Sequence, residues 1–365
     1  MLGWRTATAE ALYGPRGFYR RPGAGPAAHF RTSVHASPLY AAALLRLIRA
    51  VDASLGHPDP LDVIDVGGGR GELLLGLREG LVRTELHRRV RLTGVEIAPA
   101  PAGLPAEISW CSEVPTGAVG LVVANEWLDD VPVDVVVATA DGPRMVLVDP
   151  ATGEESWSGP TPDVGDVDWL ERWWPLAGVG AGVGAGAGVG NRAEVGRPRD
   201  QAWAATVSAL RRGVALAMDY GHTRAQRLAG RFAAGTLAGY RDGRLVPPVP
   251  DGSCDVTSHV ALDACAAAGG AAGAGATVIC TQREALTRLG VGASPELGAR
   301  PAYDLAHRDP RAYLAALARA GEAAELTARE GLGSFLWLAQ AVDLPAVPLL
   351  TPISPLRAPP SRDPQ

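Results

Sequence analysis

The chain reads as an α/β protein: a doubly wound sheet, preceded by an N-terminal arm of helix and loop and interrupted by large insertions. Three observations carry this reading. Val63–Val66 is a branched apolar run interrupted by Asp65, and Val119–Ala124 and Gly213–Met218 are continuous apolar runs, the composition of strands buried on both faces. A glycine turn, Gly67-Gly68-Gly69-Arg70-Gly71, joins the first run to a helix from Glu72 to about Leu81. Polar residues close the other two, Asn125-Glu126 after one and Asp219 after the other. In a doubly wound sheet the carboxyl ends of the strands hold the ligands.

Taken in order, residues 1 to about 12 read as an opening helix. Residues 13–33 are an irregular stretch rich in Gly and Pro, an arm or a lid over a site. Ser37-Pro38 caps a helix from Leu39 to about Leu55, with Leu44, Leu45, Leu47, Ile48 and Val51 on one stripe. After the glycine unit, Arg91–Val95 and Glu107–Cys111 read as strands. Val133–Ala138 and Arg144–Val148, joined by Asp141-Gly142-Pro143, read as a hairpin. Trp169, Trp173 and Trp174 fall on a helix and belong to a core or a partner surface. Residues 178–190 alternate Gly with Ala and Val and read as a flexible insertion. A helix from about Arg199 to Leu210 leads into the Gly213 strand, and further strands follow at Thr277–Thr281 and about Gly333–Leu338. Three regions result: an arm with helices at 1–58, a sheet domain at 59–345 with insertions at about 133–200 and 222–262, and a disordered Pro-rich tail at 346–365.

Composition excludes several classes. The net charge of -5 provides no polybasic surface for nucleic acid or anionic lipid. Cys111, Cys254, Cys265 and Cys280 lack a C-x-x-C pair or metal-ligand spacing, so no metal is expected and a reducing, cytoplasmic setting is. No signal-peptide pattern opens the chain. The uncharged run Ala264–Gln282 is broken by Gly pairs and reads as helix, loop and strand, with no membrane insertion.

The glycine spacing is selective. A dinucleotide fingerprint needs G-x-G-x-x-G, and Glu72 stands where its third glycine would be. A P-loop needs lysine, and all 34 basic residues are arginine. The pattern Val-Ile-Asp65-Val-Gly67-x-Gly69-x-Gly71 resembles motif I of the class I S-adenosylmethionine-dependent methyltransferases, which have a Rossmann-like fold. That resemblance implies that the turn with Asp65 holds the methionine part of the cofactor and that Glu96, after the next strand, holds the ribose.

Several further segments together resemble the MidA-like methyltransferases, relatives of a mitochondrial complex I assembly factor that methylates a protein arginine. They are Gly-Phe-Tyr at 17–19, His-Phe-Arg-Thr-Ser at 29–33, Asn-Glu-Trp-Leu-Asp-Asp-Val-Pro at 125–132, Asp-Tyr-Gly at 219–221, Gly-Thr-Leu-Ala-Gly-Tyr-Arg-Asp at 235–242 and Asp-Val-Thr-Ser-His-Val at 255–260. The chain departs from the family's usual pattern at Ala28-His29, at Gly243 and in its glycine-rich run. The resemblance implies a protein substrate, an arginine in a respiratory complex I subunit, with Thr32, Ser33 and Asn125 beside the cofactor.

Glu126 and Asp129 could clamp a guanidinium, since carboxylates bind that planar cation bidentately. The same Asn-Glu-x-x-Asp pattern also suits a helix N-cap with acids in the first turn. His259, on the Asp255-x-Thr257-x-His259 alternation, is either a proton acceptor or part of a hydrogen-bonded structural knot. Methylation of a small molecule, and cofactor-binding assembly help without turnover, stand as the other readings of the whole chain.

Overall fold

The computed structural model describes residues 1–15, 17–20, 32–176 and 188–350. The expectations for His29–Arg31, for most of the glycine-rich run and for the tail beyond 350 lie outside the described residues.

A seven-stranded sheet forms the centre: β1 (Leu61–Val66), β2 (Val90–Val95), β3 (Ile108–Cys111), β4 (Ala118–Asn125), β5 (Leu210–Asp219), β6 (Thr277–Thr281) and β7 (Leu336–Val342). Its spatial order is β6-β7-β5-β4-β1-β2-β3. β7 runs antiparallel to both of its neighbours, and the pairings from β5 across to β3 are all parallel. The order reverses between β1 and β4, so a crevice opens at their carboxyl ends.

Period-two alternation distributes the strand side chains between two cores. On one face Leu121, Val123, Leu216 and Trp337 pack against α2 (Pro38–Leu55), α3 (Glu72–Leu81) and α7 (Gln282–Arg288). On the other face Ile64, Val122, Ala217 and Leu338 meet Trp203 and Val207 of α5 (Arg197–Ala209) and Cys265 of α6 (Leu262–Ala271). The acid inside β1 is satisfied: Asp62 accepts from the Val119 N–H at 2.9 Å and from Arg91 Nε at 2.8 Å, which fixes β4 and β2 beside it.

The segments around the sheet build the wall over its carboxyl edge. Val135–Thr139 pairs with Gly142–Met145 and Arg192–Glu194, and Ala238–Arg241 pairs with Arg244–Val246 and Asp255–Thr257. The opening helix α1 (Trp4–Tyr13) is part of this wall, because Trp4 and Ala7 are buried with Val135, Val137, Val148, Cys254 and Val256. The Trp cluster belongs to a core: Trp169 of α4 (Val164–Trp173) and Trp174 are buried, and Trp169 donates to Asp200 at 2.7 Å.

Three local expectations shift. The hairpin turns at Ala140-Asp141, and its second strand runs over Gly142–Met145 and stops short of Val148, because Leu147–Val148 pairs instead with Leu2–Gly3 and Glu155–Ser156. β7 starts after a 3₁₀ turn at Leu332–Ser334 and continues to Val342. A helix that the pattern reading missed, α8 (Pro310–Leu326), begins where Asp309 caps the Ala312 N–H with Pro310 in the first turn. Among the described residues no helix is long and apolar enough to cross a membrane.

Candidate active site

A cleft of about 770 Å³, including its open mouth, lies over the crevice between β1 and β4. One wall is bare main chain. Gly67 and Gly69 both have positive φ, at 70° and 53°, and the turn hangs from β2 by the Gly67 N–H donating to the Val95 carbonyl at 2.9 Å. Gly67 has a second reason to be glycine: a Cβ there would stand 2.5 Å from the Trp127 ring. Asp65, at the end of β1, lies beneath the turn, and burial together with Glu72 and Glu96 pushes its carboxyl up to about 8. Glu96 follows β2. Its Oε1 accepts the Ile97 N–H at 2.7 Å, and the carboxylate also reaches the Gly69 backbone.

The opposite wall is acidic. Glu126 leaves β4 with a positive φ of 49°, a strained conformation for a residue with a side chain, and its own N–H donates to the Met218 carbonyl of β5. Its Oε1 accepts from the Ser33 N–H at 3.1 Å and from Asn125 Nδ2 at 3.2 Å. Asn125 in turn accepts from the Tyr40 hydroxyl at 2.6 Å. Burial, with Asp129 nearby, pushes Glu126 up to about 7. Beyond it, Asp129 accepts from Thr257 at 2.8 Å, and Tyr19 donates to Asp130 at 2.8 Å and to Asp255 at 3.3 Å. Burial raises Asp129, Asp130, Asp255 and the adjacent Asp219, and mutual repulsion adds to the rise in Asp130, Asp219 and Asp255. Asp130 keeps one buried carboxylate oxygen without a hydrogen-bond partner, and the Asp129 and Asp219 carboxyls hydrogen-bond to each other.

Arg199 opposes the rise in Asp129 and Asp219 through its charge, without pairing with either carboxylate. Its guanidinium donates to the carbonyls of Asp129, Val131, Ser258 and His259 and to the Ser258 hydroxyl. It ties the loop after β4 to the loop after Thr257. Among the described lining residues only His35 can carry positive charge.

Of the residues singled out from the sequence, Asp65, Gly67, Gly69, Thr32, Asn125, Glu126 and Asp129 line the cleft. Gly71 (φ 80°) turns into α3 behind them, Ser33 contributes its N–H to Glu126, and Glu96 lies beside Gly69 at the rim. The helix-cap alternative for Asn-Glu-x-x-Asp does not hold, because residues 126–131 form a turn and no helix begins there. His259 lies apart from the cleft lining. Its ring stacks on Tyr220 at 5.9 Å and burial lowers its pKa, while its backbone N–H donates to Thr236. Pattern reading gave no place in the site to Asp130, His35 and Glu72, which line the cleft, or to Asp219, which adjoins it. Asp130 and Asp219 stood inside the motifs already quoted, and their position after apolar runs was the available signal.

The sheet order with its single reversed strand, and a glycine turn followed by an acid after the next strand, define a class I methyltransferase fold with a nucleoside cofactor site. Residues 41–280 match the family model of S-adenosyl-L-methionine-dependent methyltransferases named Methyltransf_28, and the chain belongs to that family. It is an S-adenosylmethionine-dependent methyltransferase. A Burkholderia thailandensis protein solved with S-adenosyl-homocysteine bound is similar in fold, with TM-score 0.73 and 24% identity over 93% of this chain and 87% of that one. A native crystal structure from the same organism gives the same values. No curated protein matches the sequence. The bare backbone at Gly67–Gly69 and the nearby Glu96 fit the cofactor.

Proposed function

We propose that this enzyme methylates a guanidinium nitrogen of a protein arginine. The observation that carries the reading is the acidic wall: Glu126, Asp129, Asp130 and Asp255 converge on one cleft in which, among the described lining residues, only His35 can carry positive charge. Like charges held together in a low-dielectric site are unfavourable until a cation joins them. A guanidinium meets the need, because its N–H donors spread in a plane and pair with several carboxylates at once.

S-adenosylmethionine supplies an electrophilic methyl group, which leaves sulfur as the N–C bond forms. The nitrogen then has a proton to lose. Glu126, pushed up to about 7 by burial and by Asp129, is suited to accept it near neutral pH. Asp130 and Asp255, bridged by Tyr19, would hold the rest of the guanidinium and orient it.

The MidA-like resemblance supports the same reading and makes a respiratory complex I subunit the expected bearer of the arginine. The four cysteines are free, which suits the cytoplasmic setting expected from the sequence. The test is to incubate the enzyme with methyl-labelled S-adenosylmethionine and host lysate, then hydrolyse the labelled protein. Methylarginine is the expected product. Label on a small molecule, or on another amino acid, would refute the proposal.

A further inference from the structure

Tyr220 is a cleft residue to which the chemistry above gives no part. It follows Asp219 at the end of β5, is 37% exposed and lines the cleft. Burial, and then the charges of Glu126 and Asp129, hold its phenol above the usual value, so the hydroxyl stays protonated beside two of the acids. Among the described residues that hydroxyl has no hydrogen-bond partner. The ring, by contrast, is braced. Phe335 packs on it with centroids 4.0 Å apart, and His259 stacks on it at 5.9 Å with the planes 26° apart. The Val260 N–H donates to the Tyr220 carbonyl at 2.8 Å, so the two backbones are tied as well. His259 is itself held by rings, meeting Phe232 at 6.0 Å and His222 at 6.3 Å. Among the described residues its ring nitrogens have no hydrogen-bond partner, and Nδ1 is buried. Burial and the Arg199 charge hold the imidazole below its usual value and therefore neutral.

We propose that Tyr220 orients the methyl-accepting group, its hydroxyl oxygen accepting an N–H of the guanidinium that Glu126 and Asp129 face, and that His259 is a positioning residue acting through the Tyr220 ring. The inference rests on the arginine reading. A guanidinium carries five N–H donors, more than one carboxylate can take. An acceptor that does not ionise adds direction to the site without adding repulsion to its acidic wall. Tyr220 is neutral before and after transfer and takes no proton, which leaves that step to Glu126. His259 contributes a flat, uncharged face that keeps the phenol aimed at the acids.

The experiment measures methyl transfer from labelled S-adenosylmethionine to a synthetic peptide with a single arginine, with calorimetry of S-adenosylhomocysteine alongside. Tyr220→Phe removes the hydroxyl and keeps the ring against Phe335 and His259. Its kcat/KM for the peptide should fall about ten- to a hundredfold, the loss of one hydrogen bond to a charged group, with S-adenosylhomocysteine affinity unchanged. His259→Ala should lower kcat/KM in the same direction, and His259→Phe, which keeps an aromatic ring and no nitrogen, should restore most of it. Wild-type kcat/KM in Tyr220→Phe would overturn the proposal. So would His259→Phe as impaired as His259→Ala, which would give the imidazole itself a function. A matching loss of S-adenosylhomocysteine affinity in Tyr220→Phe would overturn it too, by moving Tyr220 to the cofactor. Should His259→Ala melt early, Tyr220→Phe and His259→Phe decide, the first impaired and the second near wild type. A wild-type enzyme that methylates no arginine peptide would remove the arginine reading and this inference together. That outcome is distinct from normal methylarginine formation by Tyr220→Phe, which removes this inference alone.

Discussion

Replacing Glu126 by Gln tests the arginine reading most directly, because stability and turnover should move in opposite directions. The amide keeps an acceptor for the Ser33 N–H and Asn125 Nδ2, both of which meet Oε1. It removes the charge. In the free protein that charge is a burden, since the carboxyl rises from 4.5 to about 7 on burial. At 1.36 kcal/mol per pH unit the shift amounts to roughly 3 kcal/mol, reduced by water in the open cleft to about 1–3 kcal/mol. The sign follows from the raised value: Glu126 contributes no penalty below its unfolded pKa and the full penalty above about 7. At about pH 8 the variant should therefore melt at the same temperature or higher. Turnover should fall about 10²–10³-fold, the usual effect of removing one electrostatic partner of a transition state. Affinity for S-adenosylhomocysteine should change little. Melting, calorimetry and methyl transfer on one preparation decide the matter. Unchanged turnover with a lower melting temperature would show that Glu126 serves the fold alone and would remove the chemical basis of the arginine assignment.

Three further outcomes are expected. Glu96→Ala should weaken S-adenosylhomocysteine binding by about 1–3 kcal/mol, the range for hydrogen bonds to a charged group, and calorimetry would show it; NAD should give no heat with either protein. Gly67→Ala should lower the melting temperature by an amount corresponding to about 1–3 kcal/mol, since it combines a positive φ with a Cβ 2.5 Å from Trp127. Ligand-free protein should lose stability as pH rises through the window set by Glu126 and Asp255 at about 7 and Asp65 at about 8. Their folded values exceed their unfolded ones, so the stability they contribute is complete in acid and lost as they ionise, as a series of melts across pH would record.

Much of the scaffold was legible because its signals are local. Val119–Ala124 has the apolar continuity of a doubly covered strand, and the Gly67–Gly71 turn carries its own backbone requirement. The shifts occurred where distant pairing decides. Leu147–Val148 left the expected hairpin because Leu2–Gly3 competes for it, and nothing within residues 133–148 encodes that partner. α8 was missed although its Asp309-Pro310 start is a regular helix signal, because alanine-rich sequence lacks a strong apolar stripe. In the site, Asn-Glu-x-x-Asp located the acids but could not separate clamp from cap. That distinction depends on whether the chain after Asn125 coils into a helix, and Asp219 prevents it by accepting the Leu128 and Asp129 N–H groups at 2.9 and 3.1 Å from the neighbouring strand.

Asp219 links fold to electrostatics at this point. The two N–H bonds it accepts bend the loop after β4 so that Asp129 and Asp130 meet Asp255 and Tyr19, which arrive from remote insertions. It does so as a buried carboxyl, raised by burial and by Asp129, whose carboxyl it meets in a hydrogen bond. A loop held this way keeps its acids close whether or not a cation is present, so the repulsion among them is carried by the free protein and relieved on binding. A purely structural turn would be better served by a neutral acceptor. Asp219→Asn keeps one acceptor oxygen for the two N–H groups and removes one charge from the cluster. If the acids exist to hold a cation, this variant should retain or gain thermal stability at about pH 8 while binding an arginine peptide more weakly. If the cluster has only a packing role, stability should change without any effect on peptide affinity.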